Sequence, residues 1–372
     1  MHDGLRRGNV GTAAEFFAGI GLVRMALERA GWSVRYANDI KAFKRDMYCA
    51  NFRGTDFDLR DVRQVSGADI PDVDLATASF PCVDLSLAGK RRGLGGEHSG
   101  LFWEFARVLE EMGARRPRFV LIENVPSFLT SGQGADLRAA LARLRDLGYG
   151  CDLLITDARW HVPQSRRRLF IVGRAGGGAG HGAGWDESLL RPPPLMRFIE
   201  ANADLGLDPL SCPVPPNAQA SLKDVVERLA ENDERWWGAE RVRKFVASLA
   251  ERHRERLTRM AGGRSTSWAT AYRRTRNRRA VWEIRADAIA GCLRTSGGGS
   301  SKQALVEAYR GDVRVRWMTP LEYARLQGAA DFQVPESVSD NQALSGFGDA
   351  VCVPAVEWII RECLNPMVES PA

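Results

Sequence analysis

The sequence lacks several features that would settle its class at once. Its seven cysteines (Cys49, Cys82, Cys151, Cys212, Cys292, Cys352 and Cys363) are odd in number, scattered over 372 residues and never spaced C-x2-C. That pattern indicates neither a zinc site nor a disulfide framework, and it places the chain in a reducing cytoplasm. No run approaches the roughly 18 apolar residues of a membrane span, because charges interrupt every apolar stretch. The opening MHDGLRRGNV has no apolar core of the signal-peptide kind. Aromatic residues are only 8% of the chain, and there is no internal repeat. Membrane, secreted and collagenous classes are set aside on these grounds. What is present is 44% hydrophobic and 26% charged, too apolar for a disordered chain and too long for one comfortable core. Two domains are expected.

The formal net charge of +6 is unevenly placed. Between Arg235 and Arg279 fourteen Lys and Arg face three acidic residues, a net of +11, which leaves −5 for the rest of the chain. One basic segment on a mildly acidic body suggests a polyanionic partner met by one domain. Trp236, Trp237, Trp268 and Tyr272 lie within it, and flat rings can stack on bases. The competing reading is a solvated helix face. RVRKFVASLAERHRERLTRM has helical periodicity with Val242, Phe245, Leu249 and Leu257 inward.

Up to Arg174 the chain alternates buried-strand runs (AAEFFAGI, WSVRYA, DVDLATASF, RFVLIENV, CDLLITDA, RLFIVG) with amphipathic helices. That rhythm predicts an α/β fold with a doubly wound, mostly parallel sheet, binding ligands at the carboxyl ends of its strands. AGGGAGHGAG and RPPP then interrupt the pattern. The expected division is a catalytic and cofactor-binding domain over 1–175, a smaller domain over 176–335, and a segment, 336–372, that returns to the first domain.

Four groups of residues carry chemistry. Phe17-Ala18-Gly19-Ile20-Gly21 follows the first strand and opens a helix, so its backbone N–H groups can approach a ligand. Asp39 ends the second strand, placed for a ribose, but Arg24 occupies the third-glycine position of a dinucleotide fingerprint, which counts against NAD. Cys82, after Ser79-Phe80-Pro81, leads into a Gly-rich loop carrying Ser86, Lys90, Arg91 and Arg92. This is the electropositive setting of a reactive thiolate, although most free cysteines are simply small buried residues. Glu123-Asn124 ends the strand RFVLIENV, and Gln164-Ser165-Arg166-Arg167-Arg168 enters RLFIVG, with period 2 setting Gln164, Arg166 and Arg168 on one side.

In this order, FAGIG, ANDI, RDV, SFPCVDLSLAGKRRG, GLFWEFARVL, ENV, QSRRR, TPLEYARLQG and GDAV resemble the DNA cytosine-5 methyltransferase family over most of the chain. The resemblance implies a Rossmann-like methyltransferase domain with a target-recognition domain. Its donor would be S-adenosylmethionine, its substrate a cytosine flipped from double-stranded DNA, and no metal would be needed. Cys82 would be the nucleophile at C6 and Glu123 would bind N3 and the exocyclic amine. Asn124 would support the pocket, Arg168 would hold O2, and Arg166 would brace the site. Phe17, Ala18, Gly19, Ile20 and Gly21 would cradle the donor, Asp39 its ribose, Ile40 its ring, and Asp61 and Val62 its adenine edge. Pro81 and Leu101 would line the pocket, with Asp349 and Ala350 at the methionine end. Ser86, Lys90, Arg91, Arg92, Arg273, Arg274, Arg276 and Thr295 would meet DNA. The protein is expected to act as a monomer, with a cognate restriction or defence system as partner.

Three residues depart from the family pattern: Leu22 for a glycine, Val83 for a glutamine, and Asp349 for an asparagine beside the donor. Asp349 leaves open a modified donor. A transfer-RNA methyltransferase of the same family, an inactive DNA-binding module and a nicotinamide oxidoreductase are the other readings.

Overall fold

The computed structural model describes residues 10–54, 56–81, 100–177, 184–218, 220–276, 278–295 and 302–369. The chain forms two compact units. The first comprises Met1–Asp157, Arg167–Pro215 and Ala355–Ala372; the second comprises Ala158–Arg166 and Pro216–Pro354.

The first unit is built on β1 (Gly11–Phe16), β2 (Trp32–Asn38), β3 (Asp56–Asp58), β4 (Leu75–Ala78), β5 (Phe119–Asn124), β6 (Tyr149–Asp157) and β7 (Arg167–Ala175). They form one sheet in the order β3-β2-β1-β4-β5-β7-β6. All neighbours are parallel except β7, which runs antiparallel to both β5 and β6. The doubly wound, mostly parallel sheet of the sequence reading is therefore present. The three-residue β3 was absent from that reading, being too short to carry a period. Helices α1 (Leu22–Arg29), α2 (Ala42–Asn51), α3 (Leu101–Glu111) and α4 (Ala135–Asp146) connect the strands.

Residues 11–16 and 119–124 are largely buried on both faces because both faces of the sheet are covered. One face packs Phe16, Ala78, Val120, Ile122 and Ile171 against Phe102, Phe105, Leu137 and Leu141 of α3 and α4. Phe80 joins this core, its ring 5.7 Å from Phe102 and 5.9 Å from Phe128, and so anchors the chain immediately before Pro81.

The loss of βα rhythm after Arg174 does not coincide with the edge of the first unit. α5 (Pro193–Ala201) buries Leu195, Met196, Phe198 and Ile199 in the same core, and Asp152 of β6 pairs with Arg191 where both are buried. The return to the first unit begins at Ala355, where the sequence reading began it at 336. There Asn365 accepts from Trp32 Nε1 at 2.8 Å.

In the second unit β8 (Ser267–Arg276), β9 (Arg279–Ile284), β10 (Ala304–Tyr309) and β11 (Asp312–Trp317) make an antiparallel sheet in the order β11-β10-β8-β9. The single helix read over 241–260 is two, α6 (Ala239–Ala247) and α7 (Glu251–Ala261). Ser248 Oγ donates to the Phe245 carbonyl at 2.7 Å and Leu249 turns into the core, ending α6 with neither glycine nor proline. Trp237 is also core, packed with Trp282 and Trp317, and is not available to stack on bases. α8 (Pro320–Leu326) and α9 (Asp340–Asp349) complete the unit, and α10 (Val353–Ile359) carries the chain back to the first. One helical stretch, Asp340–Val368, is long and apolar enough to cross a membrane by composition, and 67% of its most apolar window is buried in the protein, as in a core helix.

Candidate active site

Past β1 the backbone turns through left-handed conformations at Phe17 (φ +56°), Gly19 (φ +60°) and Gly21 (φ +86°). Gly21 is dictated twice over, since a Cβ there would also lie 2.4 Å from the Phe52 ring. Gly19 faces open space; a Cβ would approach only the Phe17 carbonyl, at 3.9 Å. Asp39, 8% exposed at the end of β2, accepts from Gly19 N–H and Lys41 N–H, each at 3.0 Å. One carboxylate thus ties the two strand-end turns together. Beside it Ile40 is 61% exposed, an apolar side chain left in solvent at a polar strand tip. Ala18 and Ile20 are buried, and Phe17 lies half-buried against the main core.

Asp61 accepts from Arg63 N–H at 2.9 Å and pairs with its guanidinium at 3.0 Å, and Val62 behind it is buried. Pro81 and Leu101 are half-buried. Arg24 is bonded to Glu28 at 2.6 Å and to the Arg53 carbonyl at 3.1 Å, so its position serves packing of this turn.

Sequence reasoning missed Glu15. It is 1% exposed in β1 and accepts from Tyr48 Oη at 3.3 Å, while burial pushes its carboxyl up to about 8. Its Oε1 and the Oγ1 of Thr77, its register partner on β4, are both buried without a hydrogen-bond partner among the described residues. An acid inside an apolar strand run was the available signal.

At the ends of β5 and β7, Glu123 and Arg168 meet with Oε1 to Nε at 2.7 Å, their side chains 12% and 16% exposed. Asn124 is buried, donating to the Phe80 carbonyl at 3.3 Å and accepting from Val125 N–H at 2.8 Å. It therefore fixes the backbone that leads into Pro81. Cys82, Ser86, Lys90, Arg91 and Arg92 lie outside the described residues.

The expected period-2 strand from Gln164 to Arg168 is not formed. β7 starts at Arg167; Gln164 makes an isolated bridge to Ala290, and with Arg166 it belongs to the second unit. Arg166 donates to the Leu293 carbonyl at 3.0 Å, to the Gly348 carbonyl at 3.3 Å and to the Ala350 carbonyl.

Also in the second unit, Arg273 and Arg274 are exposed on β8, with Arg274 over the Tyr272 ring at 4.8 Å. Arg276 is paired with Glu283 at 2.8 Å. The Thr295 hydroxyl donates to the Asp349 carboxylate. Trp236 and Trp268 spend their indole N–H groups on the Ala230 carbonyl and Glu307, both at 3.0 Å. Among the described residues no group of three or more His, Cys, Asp and Glu is arranged to hold a metal ion.

The Type II methyltransferase M.NlaX of Neisseria lactamica is 27% identical over 362 residues, which cover 94% of each chain. M.DsaV of Dactylococcopsis salina is 28% identical over 354 residues, 94% of this chain and 85% of its own. Among solved structures, the S. pombe Dnmt2 methyltransferase shares the fold with a TM-score of 0.62 at 17% identity, covering 96% of this chain and 99% of its own. The Entamoeba histolytica methyltransferase EhMeth gives 0.62 at 14% identity, covering 94% and 96%. The family model of the C-5 cytosine-specific DNA methylases matches residues 11–365. With nearly the whole chain inside that match, the protein belongs to the C-5 cytosine-specific DNA methylase family and is a DNA cytosine-5 methyltransferase.

Proposed function

We propose that the enzyme methylates C5 of a cytosine everted from duplex DNA, using S-adenosylmethionine as donor and a transient bond between Cys82 Sγ and the C6 atom. The observation that carries this reading is the Glu123–Arg168 pair, 2.7 Å apart and largely buried at adjoining strand ends, next to the Asn124 anchor on Phe80. A buried acid and guanidinium together match a pyrimidine edge that presents an amine, a ring nitrogen and a carbonyl oxygen.

The first unit suits an adenosyl sulfonium. Asp39 uses one N–H contact on each carboxylate oxygen and retains lone pairs for ribose hydroxyls. Exposed Ile40 and half-buried Phe17 offer apolar surface for adenine, with Asp61 and Val62 at its edge. Gly19, Ala18, Ile20 and Gly21 supply the close backbone, and Pro81 and Leu101 the remaining wall. When bound, the donor supplies an electrophilic methyl group.

Cys82 as thiolate would add to C6, making C5 nucleophilic, while Glu123 would bind N3 and the exocyclic amine and favour protonation of N3 as negative charge builds. Arg168, with its Nε on Glu123 and an Nη donating to the Arg167 carbonyl at 2.8 Å, would present its guanidinium to the cytosine O2. C5 would take up the methyl group as the donor's sulfur–methyl bond breaks, leaving a neutral thioether, and the proton on C5 would then pass to a base. Elimination of Cys82 from C6 then restores the ring and the thiolate. Ser86, Lys90, Arg91 and Arg92, with Arg273 and Arg274 on β8, would meet the phosphates. The Type II names of the relatives extend the reading to a restriction or defence partner. The six described cysteines, all free, fit a reducing compartment such as the cytoplasm.

The test is trapping on duplex DNA carrying 5-fluorocytosine, whose fluorine cannot leave as a proton does. Wild type should give a covalent protein–DNA adduct, whereas Cys82→Ser should give none and still bind the donor. An adduct with Cys82→Ser, or methylation of bulk transfer RNA in preference to plasmid, would overturn the reading. Bisulfite sequencing of DNA from expressing cells then gives the target sequence.

A further inference from the structure

Glu15 is buried in a strand that gives a charge nothing to pair with. It stands two residues before the left-handed turn at Phe17, and its register partners, Ala37 of β2 and Thr77 of β4, carry no charge. The groups that face it come from α1 and α2. From α2, Tyr48 donates its hydroxyl to Oε2 at 3.3 Å. From α1, the Arg24 N–H bonds to the same carboxyl, and the Arg24–Glu28 pair supplies the nearby charges. Arg24 is the third residue of α1, so the Glu15 carboxyl reaches the first turn of the helix that FAGIG opens.

Tyr48 carries the contact on to the turn itself. Its ring, 1% exposed, packs with Ala18 and Ala37, and a Cβ on Gly21 would lie 2.8 Å from it. Phe57 and Phe52 crowd the same ring, with centroids at 4.9 and 5.1 Å. Arg24 Nη1 donates to the Tyr48 hydroxyl at 3.4 Å, which leaves the single phenolic proton for Glu15. The turn is therefore held from two sides: Asp39 accepts from Gly19 N–H, and Tyr48 packs against Ala18 and Gly21. An ionised carboxylate would need acceptor sites filled on both oxygens, whereas Oε1 has no partner among the described residues. Burial pushes the carboxyl up to about 8, so the neutral acid is the form this setting suits.

We propose that Glu15 is a positioning residue for the methyl donor: through Tyr48 and the first turn of α1 it holds Phe17–Gly21 in the left-handed path that S-adenosylmethionine meets. The inference rests on the reading of that turn as the donor's cradle. Being 1% exposed, Glu15 acts through Tyr48 and α1 and not by touching the donor. Ionisation leaves an unshared charge between β1 and β4, which the turn can relieve only by shifting. Donor affinity is therefore full well below pH 8 and falls as pH rises through it.

Calorimetric titration of the full chain with S-adenosylmethionine tests this. Tyr48→Phe keeps the ring and loses the hydroxyl, and should raise the donor's Kd about fivefold at pH 7, the factor one ordinary hydrogen bond commands. Glu15→Gln, neutral at every pH, should bind the donor as wild type does at pH 7. By pH 9 the wild-type Kd should exceed that of Glu15→Gln by up to about tenfold, because one unit past its pKa only about a tenth of the carboxyl stays neutral. KM for plasmid DNA should keep its wild-type value in both variants, which a general loosening of the fold would not allow. Parallel Kd curves for wild type and Glu15→Gln from pH 7 to 9, or a wild-type Kd in Tyr48→Phe, would overturn the proposal. Should Glu15→Gln not fold, Tyr48→Phe decides alone. Absence of S-adenosylmethionine binding by the wild type at any pH would instead sink the donor reading, and this inference with it.

Discussion

Removing the Glu322 carboxylate should come close to unfolding the second unit. Glu322 and Arg316 both have no exposure, and their two contacts measure 2.6 and 2.9 Å. Glu322 also accepts from the N–H groups of Thr319 and Glu227, each at 2.9 Å, which joins α8 to the segment before α6. In Glu322→Ala the Arg316 guanidinium stays buried with only the carbonyls of Trp317 and Glu227 as acceptors, at 3.1 and 2.8 Å. Leaving one partner of a buried pair without the other costs about 3–5 kcal/mol, against total domain stabilities of roughly 5–15 kcal/mol. At about 2–4 °C per kcal/mol for a unit of this size, the melting midpoint should fall by roughly 6–20 °C. Urea unfolding followed by tryptophan fluorescence reads the loss, because Trp236 sits 5.3 Å from the Arg316 guanidinium. Arg316→Met combined with Glu322→Leu, which removes both charges, should recover most of it. A loss below about 1 kcal/mol in Glu322→Ala would refute the argument, since it would mean that water or a rearranged carboxylate reaches Arg316.

Three further outcomes follow from the geometry. Glu15 binds its proton up to about 8 in the folded chain against an ordinary 4.5, so its stabilising effect is full below about 4.5 and is lost as pH rises towards 8. Glu15→Gln should flatten that decline, and identical urea midpoints across pH for both proteins would show that Glu15 ionises freely. Gly21→Ala places a Cβ 2.4 Å from Phe52 at φ +86°, and should cost more than about 1 kcal/mol and weaken donor binding by calorimetry. Replacing Arg274 by alanine should reduce the salt slope of DNA binding by about 1, whereas Arg276→Ala, its charge already offset by Glu283, should change it less; equal slopes would contradict this.

Local pattern determined much of the first unit. Buried runs such as RFVLIENV and apolar-periodic segments such as ADLRAALARLRDLG specified strands and helices because their side chains have to be covered, and FAGIG specified the turn because left-handed backbone calls for glycine. Glu123 was legible as a strand-tip acid, but its partner's geometry was not: Arg168 reaches it only because β7 enters the sheet antiparallel beside β5. Sequence spacing grouped Gln164 and Arg166 with Arg168, whereas the chain leaves the first unit at Ala158 and returns at Arg167, so neighbours in sequence serve different cores.

What the sequence by itself determined was the family and the sheet, since these are written in period, spacing and composition. Only the tertiary structure decided that Glu15 is a buried acid, that 241–260 breaks at Leu249, that Trp237 is core, and that Asp349 accepts from Thr295. Each of those depends on what lies opposite a side chain in space, and a linear pattern carries no record of contacts between residues 54 positions apart.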